Sequence, residues 1–299
     1  MSDPSHTAKS PHGLLVVDKP SGVTSRDIVN RVQSWFPQRT RVGHAGTLDP
    51  LATGVLVLCI GTATRLIEYI QEMEKVYLAG IHLGAVSDTD DADGRIEPVS
   101  TKAPELERVR QTLSEFVGVI EQVPPVYSAS KVFGKRAYDL ARLGEEVSLR
   151  ARRVRIDRIE LLRYEYPHLE IEVECGKGTY IRSLARDLGT RLGCGAYVES
   201  LRRLRVGVFS TEDAVSLDLS ADQAMGKLLP MAKAVARLPR IRLSSEKIRR
   251  LRCGQMIHCR DVPKSGVELA VFDENDNLVA LAGLDARRRL LPKKVLAPQ

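Results

Sequence analysis

The chain has 299 residues, 43% of them hydrophobic, and a formal net charge of +7. That length suits one large and one small domain, and no apolar run reaches the roughly 18 residues that a membrane helix needs. The five cysteines, Cys59, Cys175, Cys194, Cys253 and Cys259, form no CxxC pair, and their odd number fits reduced thiols in a cytoplasm.

The charge is uneven. From Arg150 onward 29 Lys and Arg stand against 19 Asp and Glu, whereas the first 149 residues hold 16 against 19. The basic half carries the clusters Arg150/Arg152/Arg153/Arg155, Arg202/Arg203/Arg205, Arg249/Arg250/Arg252 and Arg287/Arg288/Arg289. Clustered arginines suit a polyanionic partner such as nucleic acid.

Residues 1–12 are polar and lack the apolar core of an export signal, so a flexible tail and a cytoplasmic location are expected. Leu14–Val17 reads as a buried strand closed by Asp18-Lys19-Pro20-Ser21-Gly22. Thr24 or Ser25 can cap the next helix, whose apolar stripe is Ile28, Val32, Trp35 and Phe36 and which Pro37 stops. A glycine-punctuated loop follows, then a strand over Val55–Ile60 and a short helix over Thr62–Tyr69. Lys75–Leu83 alternates as a strand, with Tyr77, Ala79, Ile81 and Leu83 on one side.

Asp88–Gly94 is an acidic turn. Leu106, Val109, Leu113, Phe116 and Val117 mark a helix, Val123–Tyr127 breaks regular structure, and Arg136–Leu143 reads as a short helix. Val154–Tyr164 and His168–Cys175 read as paired strands. Gly176-Lys177-Gly178 leads into a helix over Thr179–Leu188 closed by Gly189, and Leu201–Phe209 is a further strand. Beyond Pro239 come a helix over Ser244–Leu251 and strands near Val267–Phe272 and Leu278–Leu284. Asp273–Asn277 forms the hairpin turn between them. Helix and strand signals mix without a βαβ repeat, so the predicted class is α+β with a mixed, mostly antiparallel sheet. The last sixty or so residues form a small β module that docks on the larger part.

The candidate chemistry lies in Gly43-His44-Ala45-Gly46-Thr47-Leu48-Asp49-Pro50-Leu51-Ala52-Thr53-Gly54-Val55-Leu56. Pro50 biases Asp49 toward extended geometry, and the glycines permit tight turns and close approach of a ligand. A carboxylate presented in this way can serve as base, metal ligand or nucleophile, or it can simply cap a turn. The run is not a P-loop, because no Lys-Ser/Thr follows it. Aligning Gly94 with the sixth place of an EF-hand loop puts Thr89 first and Ser100 twelfth, which rules that loop out.

The same run closely resembles the active-site motif of TruB, the bacterial tRNA pseudouridine-55 synthase family. The resemblance extends in order through Asp18–Gly22, Asp88–Gly94, Pro125-Val126-Tyr127-Ser128-Ala129, Cys175–Arg182, Leu192–Ala196 and Leu201-Arg202-Arg203. It implies a pseudouridine synthase catalytic fold over residues 13–239, with an RNA-gripping insertion at 121–153. A small C-terminal β-barrel of the PUA type would occupy 240–299. In the insertion, Lys131, Lys135, Arg136 and Arg142 would grip phosphates, with Tyr127, Phe133 and Tyr138 interleaved.

The implied reaction is isomerisation of uridine-55 in the T-loop of tRNA, with no metal or organic cofactor. Asp49 would be the nucleophile. Arg182 would pair with it and favour the ionised carboxylate. Tyr77 would stack on the extruded uracil and assist proton removal at C5, and His44 would fill the gap that the flipped base leaves. Tyr180 and Leu201 would line the base pocket, and Asp91 corresponds to a substrate-side position. The resemblance implies tRNA as partner, bound through T-loop and acceptor stem. A monomer, no membrane association and no guide RNA are expected. Two rival readings are an RNA-binding, tRNA-folding factor with secondary activity and a guide-RNA-dependent synthase acting on ribosomal RNA.

Overall fold

In the computed structural model, residues 11–128, 131–132, 135–136, 149–259 and 267–296 are described, those at 131–132 and 135–136 by their backbone alone. The strands β1 (Gly13–Lys19), β2 (Val42–His44), β3 (Thr53–Ile60) and β4 (Lys75–Leu83) begin the main sheet. A hairpin of β5 (Ala85–Ser87) and β6 (Ile96–Pro98) follows, then β7 (Gly118–Gln122) and a small pair, β8 (Lys131–Val132) and β9 (Lys135–Arg136). β10 (Arg152–Glu165), β11 (His168–Cys175), β12 (Ala196–Val206) and β13 (Phe209–Ser210) complete the sheet.

The strand order is β1-β3-β12-β4-β11-β10-β7, with β2 on β3 and β13 on β12. Every pairing is antiparallel except β3 with β12, which run parallel at Arg202 opposite Thr53 and Arg203 opposite Gly54. The predicted mixed, mostly antiparallel α+β class is the class observed.

Strand alternation sets the two faces. Leu15 and Val17, Leu56 and Leu58, Ala79 and Ile81, and Ile171 and Val173 point into a core covered by the helices Ser25–Gln33, Leu106–Ser114 and Ile181–Leu192. On the opposite face, Leu14, Val16, Val55 and Val57 join a second core with Ala270, Phe272, Leu278 and Leu281 of the C-terminal sheet. That shared apolar contact is how the small β module docks. Its strands, β14 (Arg240–Arg242), β15 (Ile257–His258), β16 (Glu268–Phe272), β17 (Leu278–Leu284) and β18 (Arg289–Val295), follow the order β14-β16-β17-β18-β15. Its described strands form a curled five-stranded half-barrel with β14 and β15 at its two ends, consistent with the expected PUA-like module.

Several local expectations change. Gly43 and His44 belong to β2, opposite Cys59 and Leu58, so the glycine-rich loop begins at Ala45, two residues later than expected. The expected helix at Thr62 is a 3₁₀ turn, Gly61–Leu66, running into a short α-helix, Ile67–Gln71. The Leu106–Ser114 helix stops before Val117, which is exposed. Gly189 does not close its helix. The helix runs on to Leu192 and ends at Gly193, in the left-handed region at φ 74°. At Gly189 the next strand crosses so closely that a Cβ would lie 2.2 Å from the Ala196 nitrogen. The strand expected over Leu201–Phe209 starts at Ala196, and a turn at Gly207 separates β13 from it.

Pro11 and His12, expected in the tail, pack against the body, where His12 Nδ1 accepts from the Thr62 N–H at 3.2 Å. Arg136 lies in β9 rather than opening a helix. The rest of the Arg136–Leu143 helix lies outside the described residues, as do the side chains of Lys131, Phe133, Lys135, Arg136, Tyr138 and Arg142.

Candidate active site

The loop between β2 and β3 is tied down on every side. The Ser25 hydroxyl accepts from the Leu48 N–H at 2.9 Å and donates to the Leu48 carbonyl at 3.1 Å. Ser25 is free for this because Thr24 is the N-cap, in a capping box with Asp27. The fully buried Lys19 ammonium donates to the carbonyls of Pro20, Val23 and Pro50 at 2.8, 2.7 and 3.1 Å. The Gly22 N–H also reaches the Pro50 carbonyl, at 2.9 Å. The loop re-enters the sheet at Gly54, whose φ of 97° excludes side chains and whose Cβ would stand 2.2 Å from the Arg203 carbonyl. Leu48 and Pro50 are therefore both clamped, and Asp49 is presented between them.

Asp49 borders a cavity of about 440 Å³. Tyr77, Tyr180, Arg182, Leu201 and Arg203 line it, together with Lys75 and the Gly176–Gly178 turn. The volume lies in the range of roughly 300–1,000 Å³ typical of small-molecule pockets. Arg182 Nε lies 3.0 Å from Asp49 Oδ2, with 4% of the Arg182 side chain exposed and 32% of Asp49. The Nε–H is not aligned for a hydrogen bond, so the contact is an ion pair. Three other contacts fix the guanidinium: Nη1 to Asp91 Oδ2 at 3.1 Å and to the Thr89 carbonyl at 3.0 Å, and Nη2 to the Tyr127 carbonyl at 2.9 Å. Asp91 is held in turn, its Oδ1 accepting from Thr89 Oγ1 at 2.5 Å and from the Asp93 N–H at 3.1 Å.

This is what the acidic turn does. Asp91 anchors Arg182, and Asp90 pairs with Arg186 of the same helix at 2.9 Å. Asp91 lies behind Arg182, 4% exposed, and does not line the cavity as a substrate-side residue would. His44 also stands outside the lining, one residue before it begins at Ala45. Asp49, Tyr77, Tyr180, Arg182 and Leu201 are brought together around one space. Tyr180 is set by Gln122, whose side-chain amide accepts from the Tyr180 N–H at 2.9 Å and donates to its carbonyl at 3.0 Å.

Burial pushes the Asp49 carboxyl above the usual carboxylate range; Arg182 opposes this and the Asp91 charge adds to it. Arg182 favours the ionised carboxylate, the direction expected of it, but burial outweighs it. Burial also raises the Tyr77 phenol, and the Arg203 charge opposes it. Desolvation lowers Lys19 and Lys75 to about 8 each. A carboxylate deprived of water beside a fixed cation is a group suited to nucleophilic or acid–base work.

Four residues here escaped the sequence reading as site residues: Lys19, Ser25, Gln122 and Arg203. Lys19 left one signal, a lysine ending an apolar strand. The three arginines of the Arg202/Arg203/Arg205 cluster do not share one environment. Arg202 pairs with Asp18 through two bonds of 3.0 and 2.8 Å, Arg203 is buried, and Arg205 pairs with Glu174 at 3.0 Å.

Residues 34–181 match the family model "TruB family pseudouridylate synthase (N terminal domain)", and residues 182–236 match "tRNA pseudouridylate synthase B C-terminal domain". The tRNA pseudouridine synthase B of Dehalococcoides mccartyi is 43% identical over 293 residues, covering 96% of this chain and 97% of that protein. That of Cereibacter sphaeroides is 45% identical over 258 residues, covering 84% and 85%. Among solved structures, one of a Cbf5-Nop10-Gar1 complex superposes with a TM-score of 0.74 at 27% identity, over 96% of this chain and 85% of that one. An H/ACA RNP bound to a substrate RNA containing 2′-deoxyuridine gives 0.73 at 26% identity, over 96% and 85%. The chain belongs to the TruB family of pseudouridylate synthases.

Proposed function

We propose that this protein isomerises uridine-55 in the T-loop of tRNA to pseudouridine, with Asp49 as the nucleophile. The observation that carries the reading is the Asp49–Arg182 pair at the edge of a cavity that Tyr77, Tyr180 and Leu201 also line, in a chain of this family. The target base is stacked in its loop and must be extruded to reach Asp49. Asp49 acts at the sugar as the N1–C1′ bond breaks. The base turns and rejoins through C5, C5 loses its proton and N1 gains one, so no atom is added or lost. Tyr77 stacks on the uracil and assists removal of the C5 proton. Arg182 holds the carboxylate in place, Tyr180 and Leu201 enclose the base, and His44 fills the vacated position in the RNA.

We assign the protein to stand-alone action on tRNA, as a cytoplasmic monomer without guide RNA. The support is the near full-length match to relatives named tRNA pseudouridine synthase B at 43–45% identity, against 27% for Cbf5. Pure protein incubated with an unmodified tRNA transcript should yield pseudouridine at position 55. Asp49→Asn should yield none while still binding the transcript, and activity in that variant would remove Asp49 as nucleophile. If product forms only when a guide RNA is added, the guide-dependent reading replaces this one.

A further inference from the structure

Arg203 stands in the middle of this site with no part in the chemistry described so far. It borders the cavity yet is only 2% exposed, and among the described residues no carboxylate lies within ion-pair distance of it. A buried cation without an anion is costly, so its other contacts must compensate. Its Nε donates to the Val55 carbonyl at 2.7 Å and its Nη2 to the Gly46 carbonyl at 3.2 Å. These carbonyls lie on either side of Asp49 and bracket the whole loop. On the other side of β12, Arg203 sits directly opposite Tyr77 of β4, and its charge acts on the Tyr77 phenol. Gly54 permits the approach, since any Cβ there would strike the Arg203 backbone. One guanidinium thus ties the Asp49 loop near its entry and its exit from the strand position opposite Tyr77.

We propose that Arg203 is a positioning residue that couples the reach of Asp49 to the orientation and hydrogen bonding of Tyr77. The inference rests on the roles proposed above for those two residues. A small displacement of a reacting group is enough to slow an enzyme strongly. Arg203→Met removes both carbonyl clamps and the charge beside the phenol. Arg203→Lys keeps a charge but, as a single point donor, cannot span both carbonyls and the phenol.

The test measures pseudouridine formation on a tRNA transcript for both variants, for Tyr77→Phe and for the Arg203→Met/Tyr77→Phe pair. Alongside it, NMR of ring-labelled tyrosine follows Tyr77, assigned by its loss in Tyr77→Phe. Arg203→Met should lose about 100-fold in kcat, with KM changed by less than about three-fold. Arg203→Lys should recover part of the loss, and the double variant should lose less than the product of the single losses. The Tyr77 resonance should shift in both Arg203 variants. An unchanged kcat, full additivity with Tyr77→Phe, or an unmoved Tyr77 resonance overturns the proposal. The NMR arm needs no turnover and can be read from Arg203→Lys alone should Arg203→Met not fold. If the wild-type protein makes no pseudouridine, the functional reading fails while the Arg203–Tyr77 coupling is still decided by the resonance.

Discussion

The Lys19 ammonium donates to the Pro50 carbonyl at 3.1 Å, joining the end of the first strand to the residue directly after Asp49. The same nitrogen holds the Pro20 and Val23 carbonyls, so one fully buried lysine organises two loops. Hydrogen bonds from charged donors contribute about 1.5–3 kcal/mol each, and unsatisfied buried carbonyls cost a similar amount. Lys19→Met should therefore destabilise the protein by about 2–3 kcal/mol and lower kcat more than tRNA affinity. Urea melts and a tRNA filter-binding assay check this.

The same residue carries a pH dependence of defined sign. In the folded protein Lys19 titrates at about 8, below its ordinary value of 10.5. Between those values the unfolded chain binds more protons, so the Lys19 contribution makes stability rise with pH across that window. The stability difference between wild type and Lys19→Met should widen in favour of wild type from about pH 7.5 to about pH 9.5. A difference that narrows contradicts the assignment.

Asp91 has two opposing effects on the site. It anchors Arg182, and its charge helps to hold the Asp49 carboxyl high. Asp91→Asn should lower kcat by about ten-fold or more through a loosened Arg182. Arg182, though less well oriented, keeps its charge beside Asp49, so removing the Asp91 charge that raised the carboxyl should also move the acid limb of the pH–rate profile downward. An acid limb displaced upward would refute this account.

Two glycines with left-handed backbone should respond differently to alanine. Gly54 has φ 97°, and a Cβ there would stand 2.2 Å from backbone, whereas Gly178 has φ 85° with open space around it. Gly178→Ala should cost about 1–2 kcal/mol from its backbone conformation alone. Gly54→Ala should exceed about 4 kcal/mol, because β3 and β12 must part. Thermal melts of the two variants make the comparison.

Gln122 is 1% exposed and answers both backbone groups of Tyr180. Gln122→Leu removes both bonds, while the Tyr180 carbonyl keeps the Leu184 N–H at 3.1 Å, and should cost about 1–3 kcal/mol. KM for tRNA should rise as Tyr180 loses its fixed place; a variant with wild-type stability and kinetics would show that the clamp is dispensable.

Much of this was legible along the chain. The alternation of Tyr77, Ala79, Ile81 and Leu83 is a local property, and it set both β4 and the face Tyr77 shares with the core. The Gly43–Leu56 run marked Asp49 because glycine and proline act on the backbone next to them. The helix start was legible only as Thr24 or Ser25; the capping box with Asp27 is what makes Thr24 the cap. What local pattern could not supply is which strand lies beside which. Arg203 meets Tyr77 and Gly54 because β12 is inserted between β3 and β4, an order that no period-two signal carries. The Arg202/Arg203/Arg205 cluster reads as a charged surface in sequence. In the fold, a register shift between Arg203 and Arg205 breaks the simple alternation, so that Arg202 reaches Asp18, Arg205 reaches Glu174, and Arg203 turns inward to the carbonyls of the Asp49 loop. The sequence alone thus determined which carboxylate was exceptional. The tertiary structure decided what holds it, because a buried charge takes its partners from spatial neighbours, and those are set by strand order and helix packing.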